Sequence, residues 1–307
     1  MESFVACEDM RLDALLAARF PSFSRSYFQH LIDHKHVLVN GAPTKKRIHP
    51  PIGATIEVSF QLTPELDLVP EDIPLDILYE DEHIIAVNKP AGMVTHPAPG
   101  SPNQTFANAL LYHCKQLEQT DPLRPGIVHR LDKETSGVLV AAKTAQAHAA
   151  LVDQFASRSV KKTYIAICHG NPGTLTIDSP IARHPVNRKQ MACIEAGRKA
   201  ITHIELIDKT PTSSLVLCRP VTGRTHQIRV HLKSRNCPVL GDTLYGSKKE
   251  LPRHLLHAWQ LSISHPIHNT PLHFTAPIPT IFACQEFGNA LQSLSDHTHE
   301  KSMLPKD

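Results

Sequence analysis

The chain has 307 residues, 41% of them hydrophobic and 20% charged, with a formal net charge of +3. That length supports one or two domains with full cores, and the composition excludes a disordered or fibrous chain. The small positive charge permits nucleic-acid binding through a local basic patch without arguing for it. The seven cysteines are odd in number, widely spaced and never in a C-x-x-C pair, which argues against a disulfide framework or zinc knuckle and for a reducing compartment. Met1-Glu2-Ser3 shows no signal-peptide pattern, and no apolar run is long enough to span a bilayer, so a soluble cytoplasmic protein is expected.

In chain order, Leu12, Leu15, Leu16 and Phe20 fall on one face of a helix over 11–20. A second helix is predicted to start at Ser24 as N-cap, with Phe28, Leu31 and Ile32 on one side. Val37-Leu38-Val39 reads as a strand entering an Asn40-Gly41 turn, and 52–60, alternating Ile56/Val58/Phe60, as a closing strand. Lys45, Lys46 and Arg47 form a basic cluster that Arg25 and Lys35 can extend. A compact module over 10–61 results, followed by a stiff linker over 62–75 carrying Pro64, Pro70 and Pro74.

From 76 to 290 strands dominate and helices intersperse. Strands are predicted at 76–79, 84–87, 138–143, 161–167, 200–207 and 214–218, and helices over 105–116 and after Thr144, where Ala147, Leu151 and Phe155 face the core. Residues 183–199 read as basic and irregular, 291–307 as a polar tail, and 293–307 as frayed. The fold class is α+β, with a mixed, largely antiparallel central sheet and flanking helices.

Two segments carry chemistry. Residues 126–137 hold one carboxylate, Asp132, with His129, Arg130 and Lys133 between glycines and ahead of an apolar run. Cations keep such a carboxylate ionised and can grip phosphates; a surface turn with a local ion pair reads these residues equally well. The second segment is Gly223-Arg224-Thr225-His226-Gln227-Ile228-Arg229-Val230-His231, continuing to Gly241-Asp242-Thr243-Leu244-Tyr245-Gly246. Thr225 is predicted to cap a helix running to about Arg235, with Asn236 as its left-handed terminator and His226 and Arg229 on one face. His226 and His231 point about 140° apart on a helix and to opposite sides of a strand, so neither element presents both to a metal. Neither a G-x-x-x-x-G-K-[ST] loop nor G-x-G-x-x-G is present, so no nucleotide cofactor is indicated.

Together, His129–Gly137, Lys162-Thr163-Tyr164 and Gly223–His231, with Asn88-Lys89-Pro90-Ala91-Gly92-Met93-Val94 and Leu256-His257-Ala258, closely resemble the RluA/RluC/RluD-type pseudouridine synthases over residues 76–285. The pattern Arg11-Leu12-Asp13, Ser24-Arg25-Ser26, Leu31-Ile32 and Val37–Gly41 resembles the small RNA-binding domain named after ribosomal protein S-four. It departs at Lys35, where that family usually has Gly. The resemblance implies the pseudouridine synthase fold and isomerisation of uridine in RNA, most consistently large-subunit ribosomal RNA or a ribosome precursor, without cofactor or metal. It implies Asp132 as nucleophile on uracil C6 or sugar C1′, Arg130 filling the space of the flipped base, Arg229 orienting Asp132, and Tyr164 packing on the uracil and moving a proton. His129 and Lys133 become phosphate contacts, and Arg25, Lys45, Lys46 and Arg47 RNA contacts of the N-terminal module. A monomer is expected. The alternatives are a non-catalytic RNA-binding or ribosome-assembly protein on the same fold, a transfer-RNA pseudouridine synthase, and a nucleosidase, which would call for a second positioned acid.

Overall fold

The computed structural model describes residues 2–21, 23, 25–60, 68–97, 101–115, 117–118, 124–246, 251–283 and 286–303. Ser24, the expected cap of the second helix, lies outside the described residues, as do Cys284, Gln116 and residues 62–67 of the expected linker. The chain forms two compact units, Met1–Ile73 with His96–Ile127, and Pro74–Thr95 with Val128–Asp307.

The first unit contains β1 (Glu2–Val5), α1 (Leu12–Arg19), α2 (Arg25–Asp33), β2 (Val37–Val39), β3 (Ala42–Pro43), β4 (Thr55–Val58) and α3 (Phe106–His113). Its antiparallel sheet runs β1-β4-β2-β3. Leu12, Leu16, Phe28, Leu31, Ile56 and Val58 close the core, which is what the two helical faces and the strand alternation required. The edge strand β1 was not expected from the sequence. Asp13 is fully buried yet fully partnered, by Arg11 at 2.8 Å, Arg25 at 2.9 Å and Gln29 at 2.5 Å. Burial alone would raise its pKa; the Arg25, Gln29 and Arg11 hydrogen bonds win and lower it. That carboxylate ties α1 to α2.

Lys35 accepts the left-handed conformation at φ 62°. It ends α2 in a Schellman arrangement, with His36 N–H on Leu31 O at 2.8 Å and Lys35 N–H on Ile32 O at 3.1 Å. Asn40 and Gly41, φ 52° and 74°, make the predicted hairpin turn. Asn108, in a capping box with Thr105, donates to Val69 O at 2.9 Å, and Gln104 N–H meets the Glu71 carboxylate at 3.1 Å. These bonds join 96–127 to the N-terminal unit although two strands of the second unit intervene in sequence.

The second unit contains β5 (Ile77–Glu80), β6 (Ile84–Lys89), β7 (Ser136–Ala142), α4 (Ala145–Ser157), β8 (Lys161–His169), β9 (Leu175–Asp178), β10 (Ile181–Arg183), β11 (Met191–Cys193), β12 (Ile201–Lys209), β13 (Ser213–Pro220), α5 (Gln227–Ser234), β14 (Leu256–Ser264), β15 (Pro271–Thr275), α6 (Thr280–Ala283) and α7 (Gly288–Met303). Its sheet runs β5-β6-β7-β14-β8-β13-β12-β9, with β15 on β14. The β7–β14 pair is parallel and the other described pairs are antiparallel, so the mixed, largely antiparallel α+β architecture is observed. Thr144 caps α4, accepting from Ala147 N–H at 3.2 Å, and Ala147 and Leu151 are buried as expected.

Two expectations are corrected. The stretch 183–199 is not wholly irregular, because β10 and β11 form an antiparallel hairpin. The stretch from 293 is helical as far as Met303, in α7, whose Leu291 and Leu294 pack with Phe287 in the cluster of Phe282 and Trp259.

Every residue of β7 is buried, and Gly137 sits at its start with φ 113°. A Cβ there would run into the Ala258 backbone, its parallel partner on β14. Replacing Gly137 by Ala is expected to cost about 2–4 kcal/mol through combined overpacking and backbone strain. The urea midpoint of unfolding measures that loss.

Candidate active site

Asp132 lies in the loop that feeds β7. Thr135 N–H bonds back to Asp132 O at 3.1 Å, closing a turn. The neighbouring carbonyls are all held: Leu131 O by the Thr95 hydroxyl at 3.1 Å, Lys133 O by Gly92 N–H at 2.8 Å, and Glu134 O by Arg253 at 3.1 Å. Lys89, fully buried at the end of β6, reaches Pro90 O at 2.7 Å, Met93 O at 2.9 Å and Lys133 O at 3.3 Å. Burial pushes its pKa down to about 7 against the pull of Glu134 and Asp132. Thr135 and Ser136 bond to His254 and His257, each at 2.8 Å. The loop is therefore set before any ligand arrives.

The opposing wall is α5. Gln227 is buried and uses its whole amide: Oε1 accepts from the Thr222 hydroxyl at 2.7 Å and Arg224 N–H at 3.0 Å, while Nε2 donates to Ile201 O and the Thr202 hydroxyl, each at 2.9 Å. One turn on, His231 Nδ1 meets the same Thr202 hydroxyl at 2.8 Å and Nε2 meets Ser179 O at 3.0 Å. This i, i+4 pair fastens α5 to β12 and commits both ring nitrogens of His231. The helix start differs from the expected Thr225 cap. His226 occupies that position in a left-handed conformation, φ 56°, because Gln227 already bonds the turn; Asn236, φ 58°, is left-handed as expected.

The two walls meet in one ionic group. Arg229 Nη1 donates to Asp132 Oδ2 at 2.9 Å, while Nε and Nη2 grip Asp242 at 2.7 and 3.0 Å. Asp242 also accepts the backbone N–H groups of Leu244 and Tyr245, and the Tyr245 ring lies 5.0 Å from the guanidinium. Burial by itself would raise Asp132; His226, wherever it is protonated, with the Arg229 charge and the Arg229 hydrogen bond, overcomes it and holds the carboxyl below its ordinary value. Asp242 is depressed likewise by Arg229.

A cavity of about 480 Å³ and a second of about 490 Å³ are both lined by Arg130, Leu131, Asp132, His226 and Arg229. Tyr164 lines the first, and burial together with the Asp132 charge keeps its phenol protonated. Arg158, Arg198 and Arg224 stand on the same cavity, and burial and the positive charges of the other two lower the Arg224 pKa. Such crowding of like charges marks a place where an anion would be welcome.

A family model described as RNA pseudouridylate synthase matches residues 83–234, and an S4 domain model matches residues 10–47. A relative from Xanthomonas campestris, "Ribosomal large subunit pseudouridine synthase D", is 41% identical over 287 residues, 88% of this chain and 86% of the relative. The chain belongs to the RNA pseudouridine synthases. A Xylella fastidiosa synthase of the same name is 42% identical over 287 residues, 88% of this chain and 86% of that one. The solved structure "Human RNA Pseudouridylate Synthase Domain Containing 1" shares 25% identity at a TM-score of 0.58, covering 73% of this chain and 96% of that one.

The structure of this synthase thus brings Asp132, Tyr164 and Arg229 to one cavity, with Arg130 exposed at its edge and Lys133 exposed on the loop. His129 is corrected. Its Nε2 accepts the Val140 N–H at 3.0 Å, its ring stacks on Phe155 at 4.6 Å, and burial drives its pKa to about 3, so it is no cationic phosphate contact. In the N-terminal unit Lys45 and Arg47 are exposed, Lys46 pairs with Asp33 at 2.6 Å, and Arg25 is engaged by Asp13. Sequence reasoning did not assign Asp242 or Lys89, though Lys89 lies in a segment that carried the resemblance and Asp242 in the continuation of the second chemistry-bearing segment. The available signal was an acid in the glycine-bounded turn after the Arg229 helix, and a lysine flanked by an apolar strand and Pro90.

Three histidines set an acid limit. The pKa of His129 falls to about 3, and those of His254 and His257 to about 4, each chiefly through burial. All lie below the free value, so their stabilising share is complete above about pH 6.5 and is lost as pH falls towards the folded values, where the unfolded chain binds the extra protons. Stability is expected to drop between pH 6.5 and 4 by roughly 1.4 kcal/mol per pH unit for each. Urea midpoints taken across that range check it; a flat profile contradicts neutral burial.

Proposed function

We propose that this synthase isomerises uridine in large-subunit ribosomal RNA, with Asp132 as the nucleophile. The observation that carries the reading is the Asp132–Arg229–Asp242 group on a cavity bordered by Arg158, Arg198 and Arg224. A depressed, ionised carboxylate is the form that attacks, and cations suit the phosphates that accompany the target nucleotide. The printed names of the relatives from Xanthomonas and Xylella supply the substrate class.

In the reaction the N1–C1′ bond breaks, a C5–C1′ bond forms, and the hydrogen leaves C5 while N1 ends protonated. No net oxidation occurs, which accords with a cofactor-free and metal-free reaction. Attack at C6 and attack at C1′ both suit this carboxylate. Arg130, exposed beside Asp132, is the side chain to fill the stack when the uridine flips out, at a cost of a few kcal/mol. Tyr164 packs on the uracil; its protonated phenol suits it to stacking more than to service as a resident base. Lys133, and Lys45, Lys46, Arg47 and the outer part of Arg25 on a module over 10–61, contact the RNA backbone, with a linker over 62–75 and a catalytic domain over 76–290. No described helix is long and apolar enough to cross a membrane, and the reading places a monomer in the cytoplasm.

Replacing Asp132 by Ala is expected to abolish tritium release from RNA carrying 5-tritiated uridine while RNA binding is retained; normal turnover would sink the assignment. The paired change Arg158→Glu and Arg198→Glu is expected to raise KM at least tenfold and to reduce the salt dependence of binding by about two counterions, with kcat held. Filter binding over a salt series reads that slope.

A further inference from the structure

We infer that His226 is a catalytic residue that donates its Nε2–H to a uracil carbonyl oxygen as negative charge develops there. The inference rests on the reading of Asp132 as nucleophile and adds a group that the motif resemblance left without a role.

Geometry comes first. His226 lines both cavities that Asp132 and Arg229 share. It holds a left-handed backbone, φ 56°, ahead of α5 without capping that helix with its side chain. A β-carbon makes this conformation costly, and Gly would hold it at less strain. What the imidazole contributes instead is a fixed tautomer. The Tyr245 hydroxyl oxygen accepts the Met191 N–H at 2.8 Å, so its own hydrogen is free to donate. His226 Nδ1 lies 2.7 Å away and is the acceptor for it among the described residues. Tyr245 cannot turn aside, since its ring carries the Arg229 guanidinium and its backbone N–H bonds to Asp242 at 3.2 Å. With Nδ1 accepting, the imidazole proton sits on Nε2, which has no hydrogen bond among the described residues.

Chemistry then supplies the need. Attack on C6 drives electrons through the conjugated system onto O4; departure of uracil from C1′ leaves an anion spread over N1 and the carbonyl oxygens. Either route wants a donor at a uracil oxygen. The three described hydrogen bonds of Arg229 all go to the two carboxylates, so the uracil oxygen that takes up charge needs a donor of its own. A neutral imidazole N–H can serve without taking or releasing a proton. Burial lowers the His226 pKa against the pull of Asp132, which favours that neutral form.

The test uses the full-length protein and RNA carrying 5-tritiated uridine. His226→Ala is expected to lose about 10²–10³-fold in kcat with KM changed less than about threefold, the signature of a donor engaged in the transition state. His226→Gln, which keeps an N–H donor, is expected to recover at least about tenfold of that loss. In the unsubstituted protein, nitrogen-15 NMR of the imidazole is expected to show the proton on Nε2 at pH 7, a readout that no folding defect can confuse. A proton on Nδ1, an imidazolium at pH 7, or His226→Ala turnover within threefold of the parent overturns the inference. Should the parent fail to convert uridine, or Asp132→Ala turn over normally, it is the underlying reading that falls.

Discussion

One buried guanidinium between two carboxylates, Asp242 buried and Asp132 half-buried, is the constraint on which the second unit depends. Arg229 is among the most buried charges described, and isolating it there without partners would cost several kcal/mol. Asp242 satisfies it with a two-pronged grip and is itself held by backbone N–H groups. The remaining guanidinium hydrogen bond goes to Asp132. The orientation of Asp132 is thus inherited from a pair that lies in the protein interior. Everything around it, from the Gln227 and His231 bonds on Thr202 to the lysine under the Asp132 loop, keeps the three charged groups in register.

Much of this was legible in the sequence, for identifiable reasons. Asp132, Tyr164 and Arg229 stand in the segments that carried the resemblance, and the structure brings the three to one cavity. The apolar periodicity of α1, α2, α4 and β7 reads directly, because each buries one face or, for β7, both. The Asn40-Gly41 hairpin follows from positive φ at both positions.

What escaped depended on three-dimensional neighbours. Whether His129 is a cation is decided by the Val140 N–H eleven residues on and by the Phe155 ring. The cap of α5 moved by one residue because a glutamine amide, not a hydroxyl, completes that turn. Asp242 carried no assignment because its burial and its grip on Arg229 exist only in three dimensions. The hairpin of β10 and β11 hid in a polar, basic stretch, and α7 hid because its apolar stripe is short and its remaining residues are polar. In each case the local signal was outweighed by a contact from elsewhere.

The parallel neighbours β7 and β14 also bear on timing. They are separated by more than a hundred residues of chain, yet the loop carrying Asp132 is completed only when His254 and the start of β14 reach Thr135, Ser136 and Gly137. Long-range parallel pairing of this kind forms slowly, and late in vectorial synthesis. A ribosome-bound chain that has already exposed residues 124–246 still lacks the strand that completes the Asp132 loop, so that loop takes its final form only near the end of synthesis. The turn that carries Asp132 is in this way left open until the chain is nearly complete.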